Sequence, residues 1–177
     1  IPGVFFRRVE ARAYPEGALT GHITGYVGEV TGEMLDAYPE REYLSGEIVG
    51  RAGLENSRDD QLRGRPGYRL YVEVEGRSPI LLREKKVQEG ADLELTINRN
   101  LQELAYGVLG GRTGALVVLN AETGAVLALA SAPGYDPNEF VGGISRSRWQ
   151  QLSSDPQRPL FNRALQGLYP PGSVFKV

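Results

Sequence analysis

From Leu93 onward the apolar positions fall into short runs with distinct periods. Leu93, Leu95 and Ile97 alternate with polar residues and predict a strand. Leu101, Leu104, Ala105 and Val108 recur at helical spacing, with Asn98 or Asn100 placed to cap the helix and Gly110-Gly111 to stop it. Gly114–Leu119 and Ala125–Ala130 are apolar runs joined by Asn120-Ala121-Glu122-Thr123-Gly124, the pattern of a hairpin. Their low polarity predicts a sheet covered on both faces. The sequence offers one helix before the hairpin and only short helical material after it. Ser131–Asn138 is a turn-rich connection, and Ser145–Leu152 a weakly helical stretch in which Trp149 is a packing residue.

The first half has a different texture. Ile1 to about Tyr38 is rich in glycine and aromatic residues and reads as short strands, with Val9, Ala11 and Ala13 alternating, a turn at Tyr14-Pro15-Glu16-Gly17, and a second element over His22–Gly28. A short helix follows from about Gly50 to Leu62. Gly64-Arg65-Pro66-Gly67 has proline and glycine in the central places of a type II turn. Tyr68, Leu70, Val72 and Val74 then alternate with polar residues, which predicts a strand with one buried face, closed by Gly76. The charges Arg58, Asp59, Asp60, Arg63 and Arg65 read as a solvated face rather than a partner surface. Gln88-Glu89-Gly90-Ala91-Asp92 is the boundary, dividing the chain into residues 1–90 and 91–177.

Composition narrows the chemistry. The 177 residues are 41% hydrophobic and 24% charged, suited to one or two compact domains, and a net charge of −2 without a Lys/Arg tract argues against nucleic-acid binding. The absence of cysteine excludes disulfides and thiolate chemistry, and a single histidine leaves no material for a His-based triad or multi-His metal site; His22 reads as structural. No cofactor or metal is called for. No run of 18 apolar residues is present to span a membrane. The chain opens on Ile1, the start expected of a processed product or of a piece of a longer protein.

The sharpest chemical signal is Tyr169-Pro170-Pro171-Gly172-Ser173-Val174-Phe175-Lys176. The prolines bar helix upstream, so a helix can start at Gly172 or Ser173. Residues three apart share a helix face, which puts the Lys176 amine within reach of the Ser173 hydroxyl. A desolvated lysine can take a serine proton, and free N–H groups at a helix start favour a developing oxyanion. Ser-x-x-Lys alone is weak, because chance matches are common; the preceding Asn162-Arg163-Ala164, Gln166-Gly167 and Tyr169-Pro170-Pro171-Gly172 give it specificity. Asn162 and Arg163 read as braces for this turn.

Those residues resemble the active-site approach of the class B penicillin-binding proteins, and among them the elongation-specific type. The resemblance extends over almost the whole chain: the Gly-Tyr-Val segment after a Tyr-Pro turn, the Gly-Leu-Glu helix leading to Gly64–Gly67, and Ser131-Ala132-Pro133-Gly134-Tyr135-Asp136-Pro137-Asn138. It implies an α+β fold, with a mostly β pedestal of the dimerisation type over 1–90 and the first strands and helices of a transpeptidase domain over 91–177. It implies a peptidoglycan D,D-transpeptidase of cell elongation that cleaves D-Ala-D-Ala stem peptides through an acyl-enzyme on Ser173, with Lys176 as proton acceptor, and that β-lactams inhibit. It further implies a SEDS-family, RodA-like glycan polymerase as partner and an inner-membrane anchor, with this part periplasmic. The family's Ser-x-Asn and Lys-Thr/Ser-Gly motifs do not occur here, so the polypeptide as written is expected to lack turnover. A non-catalytic module that activates the polymerase is the alternative; β-lactam hydrolysis or D-Ala carboxypeptidation fits less well with a pedestal of some 90 residues.

Overall fold

The computed structural model describes residues 11–73, 76, 78–170 and 172–174. Its elements in order are α1 (Gly21–Thr24), β1 (Val27–Glu29), α2 (Gly32–Ala37), β2 (Ile48–Gly50), α3 (Gly53–Ser57), α4 (Asp59–Leu62), β3 (Tyr68–Val72), β4 (Ile80–Lys85), α5 (Arg99–Leu109), β5 (Gly114–Leu119), β6 (Val126–Ala132), α6 (Arg146–Ser154) and α7 (Arg163–Gln166), with 3-10 turns at Gly17–Leu19, Pro39–Arg41, Pro137–Phe140 and Gly172–Val174. The strands form three separate antiparallel pairs, β1 with β2, β3 with β4, and β5 with β6. The fold is thus a mixture of short helices and two-stranded sheets. Helix takes a larger share of the first half than the glycine and aromatic texture predicts: the expected element at His22–Gly28 divides into the end of α1 and the start of β1. The strand expected around Val9 lies largely outside the described residues.

The β1–β2 pair has Val27 opposite Gly50 and Glu29 opposite Ile48. It packs a small core of Val30, Tyr43 and Val49, with Met34 and Leu35 added from α2. Beneath it two of the five charges read as a solvated face turn inward, Asp59 and Arg63, while Arg58, Asp60 and Arg65 are exposed as expected. Asp59 is only 3% exposed; its carboxylate accepts from the Gly50 N–H at 2.8 Å and the Tyr43 hydroxyl at 3.0 Å. Arg63 completes this network, with Nε 3.3 Å from Asp59 and a 2.6 Å bond to Glu47. Buried charges survive only when paired, and here both ends are paired.

Two local expectations fail in the next segment. The type II turn would need positive φ at Gly67; the positive φ, +70°, falls at Gly64 instead. Arg65 exchanges both main-chain bonds with Gln88, so Arg65-Pro66-Gly67 runs extended into β3. The β3–β4 hairpin forms, with a bulge between Leu70 and Tyr71. Neither face is buried, however, and Leu70, Val72 and Ile80 remain 52%, 39% and 50% exposed. A two-stranded ribbon buries a face only where another element lies on it.

In the second half α5 lies across β5 and β6. Asn98 caps it, its side chain accepting from the N–H groups of Asn100 and Leu101, and Gly110 ends it in the left-handed conformation. The core face differs from the predicted stripe: Leu101, Gln102 and Ala105 point inward, while Leu104 and Val108 are exposed. Ala105, Ala128 and Ala130 are almost wholly buried, and these small side chains bring the helix close to the sheet. The sheet's far face, carrying Val117 and Leu119, is largely open and meets α7 near Ser131. Leu93–Ile97 does not form a strand. Its contacts with the free edge of β6 are made by the Thr96 hydroxyl to Val126 O at 2.7 Å and by Asn98 N to Leu127 O at 2.8 Å, so no regular ladder develops.

A third core, Tyr135, Phe140 and Leu152, receives Tyr26 from the first half, stacked on Phe140 at 3.9 Å between centroids. Trp149 meets Phe140 edge-on at 6.4 Å, in keeping with its reading as a packing residue.

Candidate active site

The approach to the serine is built from α7 outward. Asn162 precedes the helix in extended conformation, and its Oδ1 accepts from Ala164 N and Leu165 N at 3.1 and 3.2 Å. Its Nδ2 donates to the His22 carbonyl at 3.1 Å. Arg163 is 7% exposed. Its main-chain N–H donates to Ser131 Oγ on β6 at 2.9 Å, and its guanidinium donates to the carbonyls of Arg158 and Gln157. These two residues brace the segment as their position in sequence predicts: Asn162 ties it to α1, and Arg163 ties it to β6 and to the loop before it.

Beyond α7 the chain folds back on itself. A side chain at Gly167 would stand 2.5 Å from the Arg163 carbonyl and 2.4 Å from the Tyr169 ring, so only glycine fits. Gly172 then adopts φ +56°, and the 3-10 turn Gly172–Val174 presents Ser173 as an exposed residue. Lys176 lies outside the described residues.

His22 stacks edge-on against Tyr135 at 5.2 Å. Burial, with the Arg163 guanidinium adding to it, pushes its pKa below the ordinary histidine value. Its Nε2 is buried and has no hydrogen-bond partner among the described residues. An open apolar cleft of about 410 Å³ adjoins it, with Leu54, Leu95, Ile97, Leu129 and Leu165 among its lining. His22 is structural here, as its isolation in the sequence predicts. Three residues that matter to this architecture were not legible as such: Gln102, Tyr135 and Asn138 each bond to main chain more than 25 positions away.

Residues 1–95 match the penicillin-binding protein dimerisation domain, and residues 114–177 match the penicillin-binding protein transpeptidase domain. The chain belongs to the penicillin-binding protein family. Among its relatives is the peptidoglycan D,D-transpeptidase MrdA of Acinetobacter baumannii, 41% identical over 177 residues, which cover 99% of this chain and 26% of the relative. Among solved structures it is similar to penicillin-binding protein PBP2 of Helicobacter pylori in complex with MreC, at a TM-score of 0.81 and 36% identity over 94% of this chain and 31% of that one. It is also similar to PBP2 of Pseudomonas aeruginosa in complex with WCK 5153, at a TM-score of 0.73 and 38% identity over 92% of this chain and 32% of that one. The chain spans about a quarter of the length of the curated relatives it matches.

Proposed function

We propose that the protein carrying this chain is a peptidoglycan D,D-transpeptidase in which residues 1–90 form a non-catalytic pedestal, residues 91–177 begin the transpeptidase domain, and Ser173 is the acylated nucleophile. The observation that carries the reading is the exposed Ser173 on the turn Gly172–Val174, braced through Asn162 and Arg163 and followed at three residues' distance by Lys176. Ser173 Oγ attacks the carbonyl between the two D-alanines of a stem peptide while the Lys176 amine takes the hydroxyl proton. The C–N bond breaks and the terminal D-alanine leaves with a proton. An amine of a neighbouring stem peptide then attacks the ester, forms the cross-link and frees the serine. A β-lactam acylates the same oxygen and stops there.

The relatives also guide the setting. The H. pylori structure pairs PBP2 with MreC, and an MreC-like protein is the kind of partner the pedestal would bind. A RodA-like polymerase of the SEDS family is a second partner, and the working location is extracytoplasmic, tethered to the inner membrane. Among the described residues no helix is long and apolar enough to cross a membrane.

The test is labelling of the full-length protein by a fluorescent penicillin, with intact mass. One adduct is expected on wild type and none on Ser173→Ala. An adduct that persists in Ser173→Ala, or a wild type that never labels, would end the assignment.

A further inference from the structure

The stretch Tyr14–Tyr26 lies in the proposed pedestal, yet its main chain is held by side chains from the other half of the molecule. Asn138 accepts from Tyr14 N at 2.9 Å and donates to Tyr14 O at 2.8 Å. Gln102 Nε2 donates to Leu19 O at 2.9 Å, the Tyr135 hydroxyl to Gly21 O at 3.0 Å, and Asn162 Nδ2 to His22 O at 3.1 Å. On another side, α1 meets the start of α3 backbone to backbone. Gly25 has φ +73°, and a Cβ there would stand 1.8 Å from the Ala52 carbonyl. With no side chain between them to repack, a displacement of α3 is passed to α1 rather than absorbed.

Asn162 is where this series of contacts reaches the serine. One planar amide accepts the two N–H groups that start α7 and donates to the α1 carbonyl, so the cap of α7 and the position of α1 are set together. From α7 the path continues through the close fold at Gly167 and Tyr169 to Gly172 and Ser173.

We propose that Asn162 is a positioning residue for acylation, passing the placement of α1, and through it that of α3, to the segment that presents Ser173. The proposal rests on the reading of Ser173 as nucleophile. Asparagine suits the task because it joins an acceptor and a donor on one short side chain. Aspartate would keep the cap but set a carboxylate oxygen against the His22 carbonyl; serine would keep a cap and lose the donor.

The test uses the full-length protein with Asn162→Asp and Asn162→Ser. Acylation by a fluorescent penicillin is followed over a range of concentrations, which separates the dissociation constant of the first complex from the rate constant of acylation, and active-site titration counts the folded protein. In Asn162→Asp the rate constant is expected to fall about tenfold and the dissociation constant to stay within about twofold, with a smaller fall in Asn162→Ser. Tyr135→Phe, which frees Gly21 O, is expected to lower the same rate constant and to combine with Asn162→Asp less than additively. Wild-type rate constants in both Asn162 variants, or a loss confined to the dissociation constant or the titratable fraction, would overturn the proposal; fully additive effects would overturn the link through α1. If Ser173→Ala labels like wild type, the nucleophile assignment itself fails, and this proposal falls with it for a reason that control identifies.

Discussion

Gln102 and Leu129 exchange two hydrogen bonds across 27 residues of sequence: Leu129 N donates to Oε1 at 2.7 Å, and Nε2 donates to Leu129 O at 2.9 Å. The side chain behaves as a piece of main chain laid along the free edge of β6. The same Nε2 also serves Leu19 O, and the residue is 1% exposed. Gln102→Leu keeps the volume and leaves three main-chain groups without partners. It is expected to cost about 3 kcal/mol, read as a lower urea midpoint, since each buried unpaired group costs on the order of 1–3 kcal/mol. Unchanged stability in this variant would show that the amide is dispensable.

Asp59 is the centre of the ionic network under β2. Asp59→Ala leaves the Gly50 N–H unpaired, leaves the Tyr43 hydroxyl only the bond it accepts from Arg41, and removes one of the two carboxylates facing Arg63. A loss of about 3 kcal/mol is expected, the scale for breaking a buried ion pair. Arg69→Ala, which breaks an exposed, solvent-screened pair with Glu84 on the hairpin, should leave the urea midpoint almost unchanged. Comparable losses in the two variants would contradict the assigned difference in burial.

His22 predicts the acid side of the stability curve. Burial holds its folded-state pKa below the ordinary value of 6.5, so the unfolded chain takes up the proton first as pH falls. The contribution of neutral His22 is therefore complete above about pH 6.5 and declines as pH drops below it. The residue is the only histidine, so one imidazole NMR resonance follows it. Its midpoint is expected below 6.5, and the melting temperature of His22→Gln should depend less on pH between about 5 and 7 than that of wild type. A midpoint at or above 6.5 would refute the burial argument.

Tyr14 and Tyr135 predict the alkaline side. Burial raises both phenol pKa values, with the Glu55 carboxylate adding to the effect at Tyr14 and Tyr26 at Tyr135. Both hydroxyls stay protonated in the folded protein at pH values where the unfolded chain ionises. Their stabilisation is present below about pH 10 and is lost as pH rises above it. Absorbance titration near 295 nm should show these two ionising only with unfolding, and Tyr135→Phe should remove part of the steep alkaline loss. Smooth titration of every tyrosine near 10 would argue against it.

Elements with their signals inside a few neighbouring residues were legible from sequence. Asn98 ahead of the α5 pattern, Gly110 behind it, and the Asn120–Gly124 turn between two apolar runs all act over one turn of chain, and the structure has each of them. Asn162 and Arg163 were legible as candidate braces only through their place ahead of Ser173; the groups they bind, His22 O and Ser131 Oγ, lie 140 and 32 positions away. Periodicity misled where burial depended on a distant element. Leu104 and Leu70 sit in correct helical and strand patterns, yet nothing among the described residues covers them, while Gln102, polar by type, is buried because its partners lie inside.

The sequence by itself determined which local elements could form, how they stop, and that a serine followed at three residues by a lysine would open a helical turn after Pro-Pro-Gly, because φ restriction, capping and side-chain period are properties of neighbouring residues. Only the tertiary structure decided which faces are buried, that Asp59 and Arg63 turn inward, and that the main chain of Tyr14–His22 is held by Asn138, Gln102, Tyr135 and Asn162. Those outcomes come from hydrogen-bond partners separated by up to 140 positions. The free energy of burying a polar group depends on such a partner being present, which no local pattern encodes.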